Sequence, residues 1–132
     1  MNKILAYLSS VLFCIFTVSA SAGESIVGSW GYTYKDSQCR EIYTFKEDGT
    51  YQTNSSEEVI IGKYKVEPVS GMPNRQKLTF YESHDNGLID CDNKIVKKDL
   101  SGFLFFEIHG EKMTYYAKPD LTWNIIELEK IK

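Results

Sequence analysis

Residues 28–66 read GSWGYTYKDSQCREIYTFKEDGTYQTNSSEEVIIGKYKV. Polar and large apolar residues alternate in Tyr43-Thr44-Phe45 and in Gly62-Lys63-Tyr64-Lys65-Val66, with Asp48-Gly49-Thr50 and Asn54-Ser55-Ser56 between them. Successive side chains of a strand point to opposite faces, while Gly, Asn and Asp accept the backbone angles of tight turns. The stretch therefore predicts an antiparallel meander with one strongly aromatic face. A meander of this kind curls and closes on itself. The expected fold class is all-β, a small antiparallel up-and-down barrel of about eight to nine strands.

The pattern continues outward in both directions. Strands are expected near residues 26–34, 40–46, 50–53, 59–68, 76–82, 93–98, 103–109, 113–118 and 122–131, with turns at 35–37, 47–49, 54–56, 70–74, 85–87, 109–111 and 119–120. Leu78 and Phe80 share a face, as do Leu104, Phe106 and Ile108, and Met113, Tyr115 and Ala117. In the last run Trp123 and Ile125 fall on one face but Ile126 and Leu128 on the other, which a bulge near Ile125 would reconcile. No window beyond the leader holds a 3.6-residue period, so helix is expected at most as one turn around Ser55 to Glu58.

Residues 1–22 read as a signal peptide. Lys3 gives a short positive start, Ile4 to Val18 an apolar stretch, and Ala20-Ser21-Ala22 a small-residue cleavage site. Phe13 before Cys14 does not fit a lipoprotein signal, and the apolar stretch is short for a membrane span. Residues 23–132 then form one domain, periplasmic or secreted. Cys14 leaves with the leader, so Cys39 and Cys91 remain as a pair expected to form a disulfide in an oxidising compartment. Without Lys3 the 15 basic residues become 14 against 18 acidic ones, a net charge of −4. No basic stripe is present, which argues against nucleic acid and anionic membrane surfaces as partners.

Gly28-x-Trp30 on the first strand, Thr44-Phe45-x-x-Asp48-Gly49-Thr50 at the next hairpin and Gly62-x-Tyr64-x-Val66 together resemble small exported bacterial lipocalin-like domains of the calycin type. The resemblance implies a barrel whose Trp30 closes one end. In lipocalins an arginine of the last strand lies over that tryptophan; here the last strand offers Lys130 and Lys132.

Catalytic chemistry is not assembled in the sequence. The two histidines, His84 and His109, fall in a polar turn and at a hairpin end, and neither a Gly-x-Ser-x-Gly elbow nor a His-Glu-x-x-His motif occurs. No enzyme activity, cofactor or metal is expected. The acidic run from Glu82 to Asp92 lacks the order of an EF-hand loop and reads as a solvated loop pinned by Cys91. Asn54-Ser55-Ser56 matches a glycosylation sequon, read as idle because a leader of this kind suits a bacterium as well as anything else.

The aromatic residues carry the functional expectation. Tyr43, Phe45, Tyr51, Tyr64, Phe80, Phe106 and Tyr115 are the candidate wall of a site for a small apolar ligand, although the same rings could fill a small barrel solid. The alternative is a protein partner in the envelope, with this chain as an inhibitor or immunity-type protein against a hydrolase or toxin. Its contacts would come from the loops at Glu82 to Asp92 and Ser70 to Asn74.

Overall fold

The computed structural model describes residues 23–95, 97, 101–120 and 122–132. The expected leader, residues 1–22, lies outside the described residues. Eight strands follow one another: β1 (Gly28–Thr33), β2 (Arg40–Phe45), β3 (Thr50–Ser55), β4 (Glu58–Val69), β5 (Met72–Asp85), β6 (Gly102–His109), β7 (Lys112–Tyr116) and β8 (Ile126–Ile131). Each pairs antiparallel with the next, and β8 returns to β1 through Ser29↔Ile131, Trp30↔Lys130 and Gly31↔Glu129. The sheet closes into an up-and-down barrel, so each described strand has a paired neighbour on both sides.

The Asp48-Gly49 turn shows how local chemistry sets the register. Gly49 takes φ +81°, and one Asp48 carboxylate oxygen accepts from both the backbone N–H and the hydroxyl of Thr50, at 2.9 and 2.6 Å. Phe45 is thereby brought opposite Tyr51. Tyr43, Thr53 and Ile60 then share one inward row, and Glu41, Ser55 and Glu58 share the next.

Four expectations need correction. Residues 93–95 and 97 are not in a strand; the rest of the expected run 93–98 lies outside the described residues. The Asp90 carboxylate accepts the backbone N–H groups of Asp92 and Lys94, both at 2.9 Å, and Asn93 sits at φ 60°, which curls the chain instead of extending it. Second, the expected turn at 70–74 shrinks to Ser70-Gly71, because Pro73 is absorbed in an irregularity of the ladder between Pro68 and Val69. Third, residues 56–57 form a tight reversal with Ser56 at φ 55° and no helical turn. Fourth, β8 starts only at Ile126, so Trp123 and Ile125 precede it and no bulge is needed to reconcile the faces.

β5 also runs past its expected end to Asp85. A bulge at Glu82, with φ 51°, lies opposite Gly62, where the pairing shifts between Ile61 and Lys63. The extra residue switches the inward phase from Leu78 and Phe80 to Ser83 and Asp85.

The two ends of the barrel differ. One carries the N-terminal segment and the turns at 46–49, 70–71 and 110–111; the other carries residues 34–39, 56–57, 86–95, 97, 101, 117–120 and 122–125. At this second end the Cys39–Cys91 disulfide forms as expected, with Cα atoms 5.6 Å apart. It joins the β1–β2 connection to the segment after β5. That segment is also held against the β3–β4 hairpin, where Glu57 and Glu58 donate their N–H groups to Ile89 O and Cys91 N–H donates to Ser55 Oγ.

Candidate functional site

The alternation that builds each strand sorts its side chains into interior and exterior, and the interior is filled unevenly. Toward the first end Trp30, Phe45, Leu78, Phe106, Met113 and Leu128 are essentially without solvent exposure and form a solid plug. Trp30 Nε1 donates to Ile26 O at 2.8 Å, and Lys130 Nζ stands 5.0 Å from the indole ring. A cation over an indole face is attracted by the ring's electrons, so Lys130 of the last strand covers Trp30.

Toward the second end the plug gives way to a cavity of about 300 Å³. Its walls are rings and aliphatic groups: Tyr43 from β2, Tyr51 from β3, Ile60 from β4, Phe80 from β5, Leu104 from β6 and Tyr115 from β7. Ile125 and Ile126 close the circuit at the start of β8. The rings brace one another edge to face, with Tyr43 and Tyr115 centroids 6.0 Å apart and Tyr51 and Phe80 4.8 Å apart. Tyr51 is fixed further by a 2.7 Å hydrogen bond between its hydroxyl and Ser83 Oγ.

Of the seven aromatic residues read from the sequence as a ligand wall, the structure brings Tyr43, Tyr51, Phe80 and Tyr115 to the cavity. Phe45, Tyr64 and Phe106 instead belong to the packed core, and the Tyr64 hydroxyl donates to Lys46 O at 2.7 Å. Three polar residues of the cavity were not anticipated: Glu41, Thr53 and Glu58. The signal for them was present. Glu41 precedes Tyr43 by two residues, Thr53 follows Tyr51 by two and Glu58 precedes Ile60 by two, so each continues an inward row.

Two carboxyl groups, Glu41 and Glu58, belong to the cavity lining, and both interact with their surroundings. Glu58 is only 1% exposed. Glu41 Oε2 accepts the Tyr34 hydroxyl at 3.1 Å. Burial and then the Glu41 charge push the Tyr43 and Tyr115 phenols well above their ordinary range, so both remain neutral. Thr53 Oγ1 and the Tyr115 hydroxyl are buried at the wall without a hydrogen-bond partner. Buried hydroxyls are nearly always paired, and Thr79 Oγ1, away from the cavity, is a third exception.

Elsewhere the chemistry is sparse. His84 lies exposed on β5, and His109 ends β6 with Nε2 at 3.3 Å from Glu107 Oε2. Among the described residues no three His, Cys, Asp or Glu side chains form a group able to hold a metal, and no helix is long and apolar enough to cross a membrane. A groove of about 310 Å³ on the outer wall is bordered by Arg75 and Glu107, whose 2.9 Å ion pair already engages its polar groups.

The fold and cavity together define a small closed β-barrel, plugged at one end and hollow at the other, compatible with a lipocalin-like architecture. Compared with protein-family models, curated proteins and solved structures, the chain matches none of them.

Proposed function

We propose that this protein is an exported, non-catalytic binding protein of lipocalin-like type that holds a small, largely apolar molecule in the mouth of its barrel. The observation that carries this reading is the cavity of about 300 Å³ walled by Tyr43, Ile60, Phe80, Leu104, Tyr115 and Ile126. The volume stands at the lower end of the range for ligand pockets. At roughly 30 Å³ per water-sized group it accommodates about ten non-hydrogen atoms. The leader-like residues 1–22 and the Cys39–Cys91 disulfide support export, since such bridges persist outside the reducing cytosol.

Indole, small, neutral and aromatic, tests the reading. Titration followed by heteronuclear NMR is expected to give saturable one-to-one binding, with shifts concentrated at Tyr43, Ile60 and Leu104. Leu104→Trp, which fills the cavity, is expected to abolish binding while the barrel still melts cooperatively. Absence of saturable binding, or binding unaffected by Leu104→Trp, would overturn the reading.

One observation favours the alternative of a protein-binding inhibitor or immunity-type function. Leu88, Ile95, Trp123 and Ile125 are large apolar residues exposed on the connections at the cavity end. The two loops expected to supply its contacts do not cooperate, however, because Ser70-Gly71 lies at the opposite end of the barrel from residues 86–92. A native mass spectrum of protein purified from its own host separates the readings: a small adduct supports the first, a stoichiometric protein partner the second.

A further inference from the structure

Asn86-Gly87, in the connection after β5, is the only Asn-Gly pair in the sequence. Asparagine followed by glycine is chemically the most labile asparagine pair, because no side chain on the second residue hinders its backbone nitrogen from reaching the amide carbon. Asn54, Asn74, Asn93 and Asn124 are followed by Ser55, Arg75, Lys94 and Ile125, whose side chains obstruct the same approach. In the folded protein Asn86 is exposed to solvent, yet its amide is held at both ends. Its Oδ1 accepts the N–H groups of Val59 and Leu88 and its Nδ2 donates to Glu57 O, all at 3.1 Å. The Gly87 N–H donates to Asp85 Oδ1 at 2.7 Å. These bonds must be released before the Gly87 nitrogen and Asn86 Cγ can meet.

We propose that Asn86-Gly87 is a deamidation site that the folded hollow end holds in check, and whose conversion unfastens the segment after β5 from the β3–β4 hairpin. The Gly87 nitrogen attacks Asn86 Cγ. The new N–Cγ bond replaces the Cγ–Nδ2 bond, and ammonia leaves with the proton that the Gly87 nitrogen loses. Water then opens the cyclic imide at either carbonyl, leaving aspartate or isoaspartate at position 86. Aspartate lacks the Nδ2 donor and sets a carboxylate oxygen against Glu57 O, so two acceptors face each other. Isoaspartate also lengthens the main chain by a methylene. Glu57 O belongs to the seam in which the Glu57 and Glu58 N–H groups donate to Ile89 O and the Cys91 N–H donates to Ser55 Oγ. The reaction proceeds only while that seam is open, so its rate measures the opening.

Intact protein and a synthetic peptide of residues 83–90 are incubated side by side at mildly alkaline pH, with conversion at position 86 followed by mass spectrometry. The peptide is expected to convert at least about tenfold faster than the intact protein, in which position 86 changes ahead of every other asparagine. Asn86→Asp, which reproduces one product, is expected at neutral pH to melt about 4 °C below the parent and to exchange the Glu58 and Cys91 amide hydrogens faster. Conversion in the intact protein as fast as in the peptide, no conversion in the peptide, or a faster change at another asparagine overturns the site. An Asn86→Asp variant that melts with the parent and exchanges those hydrogens no faster overturns its link to the hollow end.

Discussion

Gly62 lacks a side chain because three strands converge on the space it would fill. A methyl group there would stand 2.9 Å from Cε1 of Tyr51 and 3.0 Å from both Cα and Oγ of Ser83. The absence of that group lets the Tyr51 ring cross β4 and reach Ser83 on β5, which fixes one wall of the cavity. Gly62→Ala forces the ring or the β5 backbone to move, and overpacking of this kind costs roughly 1–3 kcal/mol. Urea denaturation is expected to show a lower midpoint with an unchanged slope, and indole binding is expected to weaken in step. A midpoint equal to that of the parent would show that the contact relaxes freely. The Gly62-x-Tyr64 motif was visible in the sequence, but its cause was not, since it depends on a tyrosine from one neighbouring strand and a bulge in the other. At Trp30 the cause was more local: a buried indole needs an acceptor for its N–H, and Ile26 O lies four residues away. Trp30→Phe keeps most of the apolar volume but leaves that carbonyl unpaired, so a loss of about 1–3 kcal/mol is expected in the same urea experiment.

At the scale of elements, Arg75 links β5, β6 and the connection before β8. Its Nε donates to Glu107 Oε1 and its Nη1 to Pro119 O, both at 2.9 Å, while its guanidinium carbon lies 3.6 Å from the Tyr116 ring centroid. Burial alone would raise the Glu107 carboxyl, but hydrogen bonds from Arg75 and His109, with the charge of both, outweigh it and hold the group below its ordinary value. A carboxylate whose folded value is depressed contributes stability above the unfolded value, near 4.3 for glutamate, and loses it as the pH falls through the lower folded value. Glu107→Gln is therefore expected to cost roughly 1–3 kcal/mol at neutral pH, with the deficit against the parent narrowing as the solution is acidified. Melting curves across that range check the sign; a constant deficit would mean that the pair contributes nothing through its charge. The strands themselves were legible, because period-2 alternation and Asp-Gly turn chemistry act within a few residues. The bulge at Glu82 and the curl after Asp90 were not, because a carboxylate that satisfies nearby N–H groups looks in sequence like any acidic loop residue. The same limit explains the cavity. Tyr43 and Phe45 are equivalent by alternation, and only the stagger of the closed sheet puts one at the hollow end and the other in the plug.

For the whole molecule, closure of the barrel and the single disulfide act on different parts of the stability. Closure pairs β1 with β8 and leaves the core from Trp30 to Leu128 continuous, so the plugged end has no need of a covalent tie. The hollow end buries less and is bordered by long connections, and the bridge falls there. Cys39 and Cys91 are 52 positions apart, and closing a loop of that length in the unfolded chain contributes about 4 kcal/mol by the chain-entropy model. Because the bridge also holds residues 34–39 to the segment that caps Ser55 and Glu58, its loss is expected to do two things at once. The double variant Cys39→Ser/Cys91→Ser is expected to melt roughly 15 °C lower than the parent. Well below its own melting point it is expected to bind indole about three- to tenfold more weakly, since the connections around the cavity must then be ordered at the expense of binding. Equal melting temperatures would remove the stabilising function of the bridge. A lower melting temperature with unchanged affinity would confine that function to the unfolded chain and show that Tyr43, Phe80 and Tyr115 hold the cavity open without help from the connections above them.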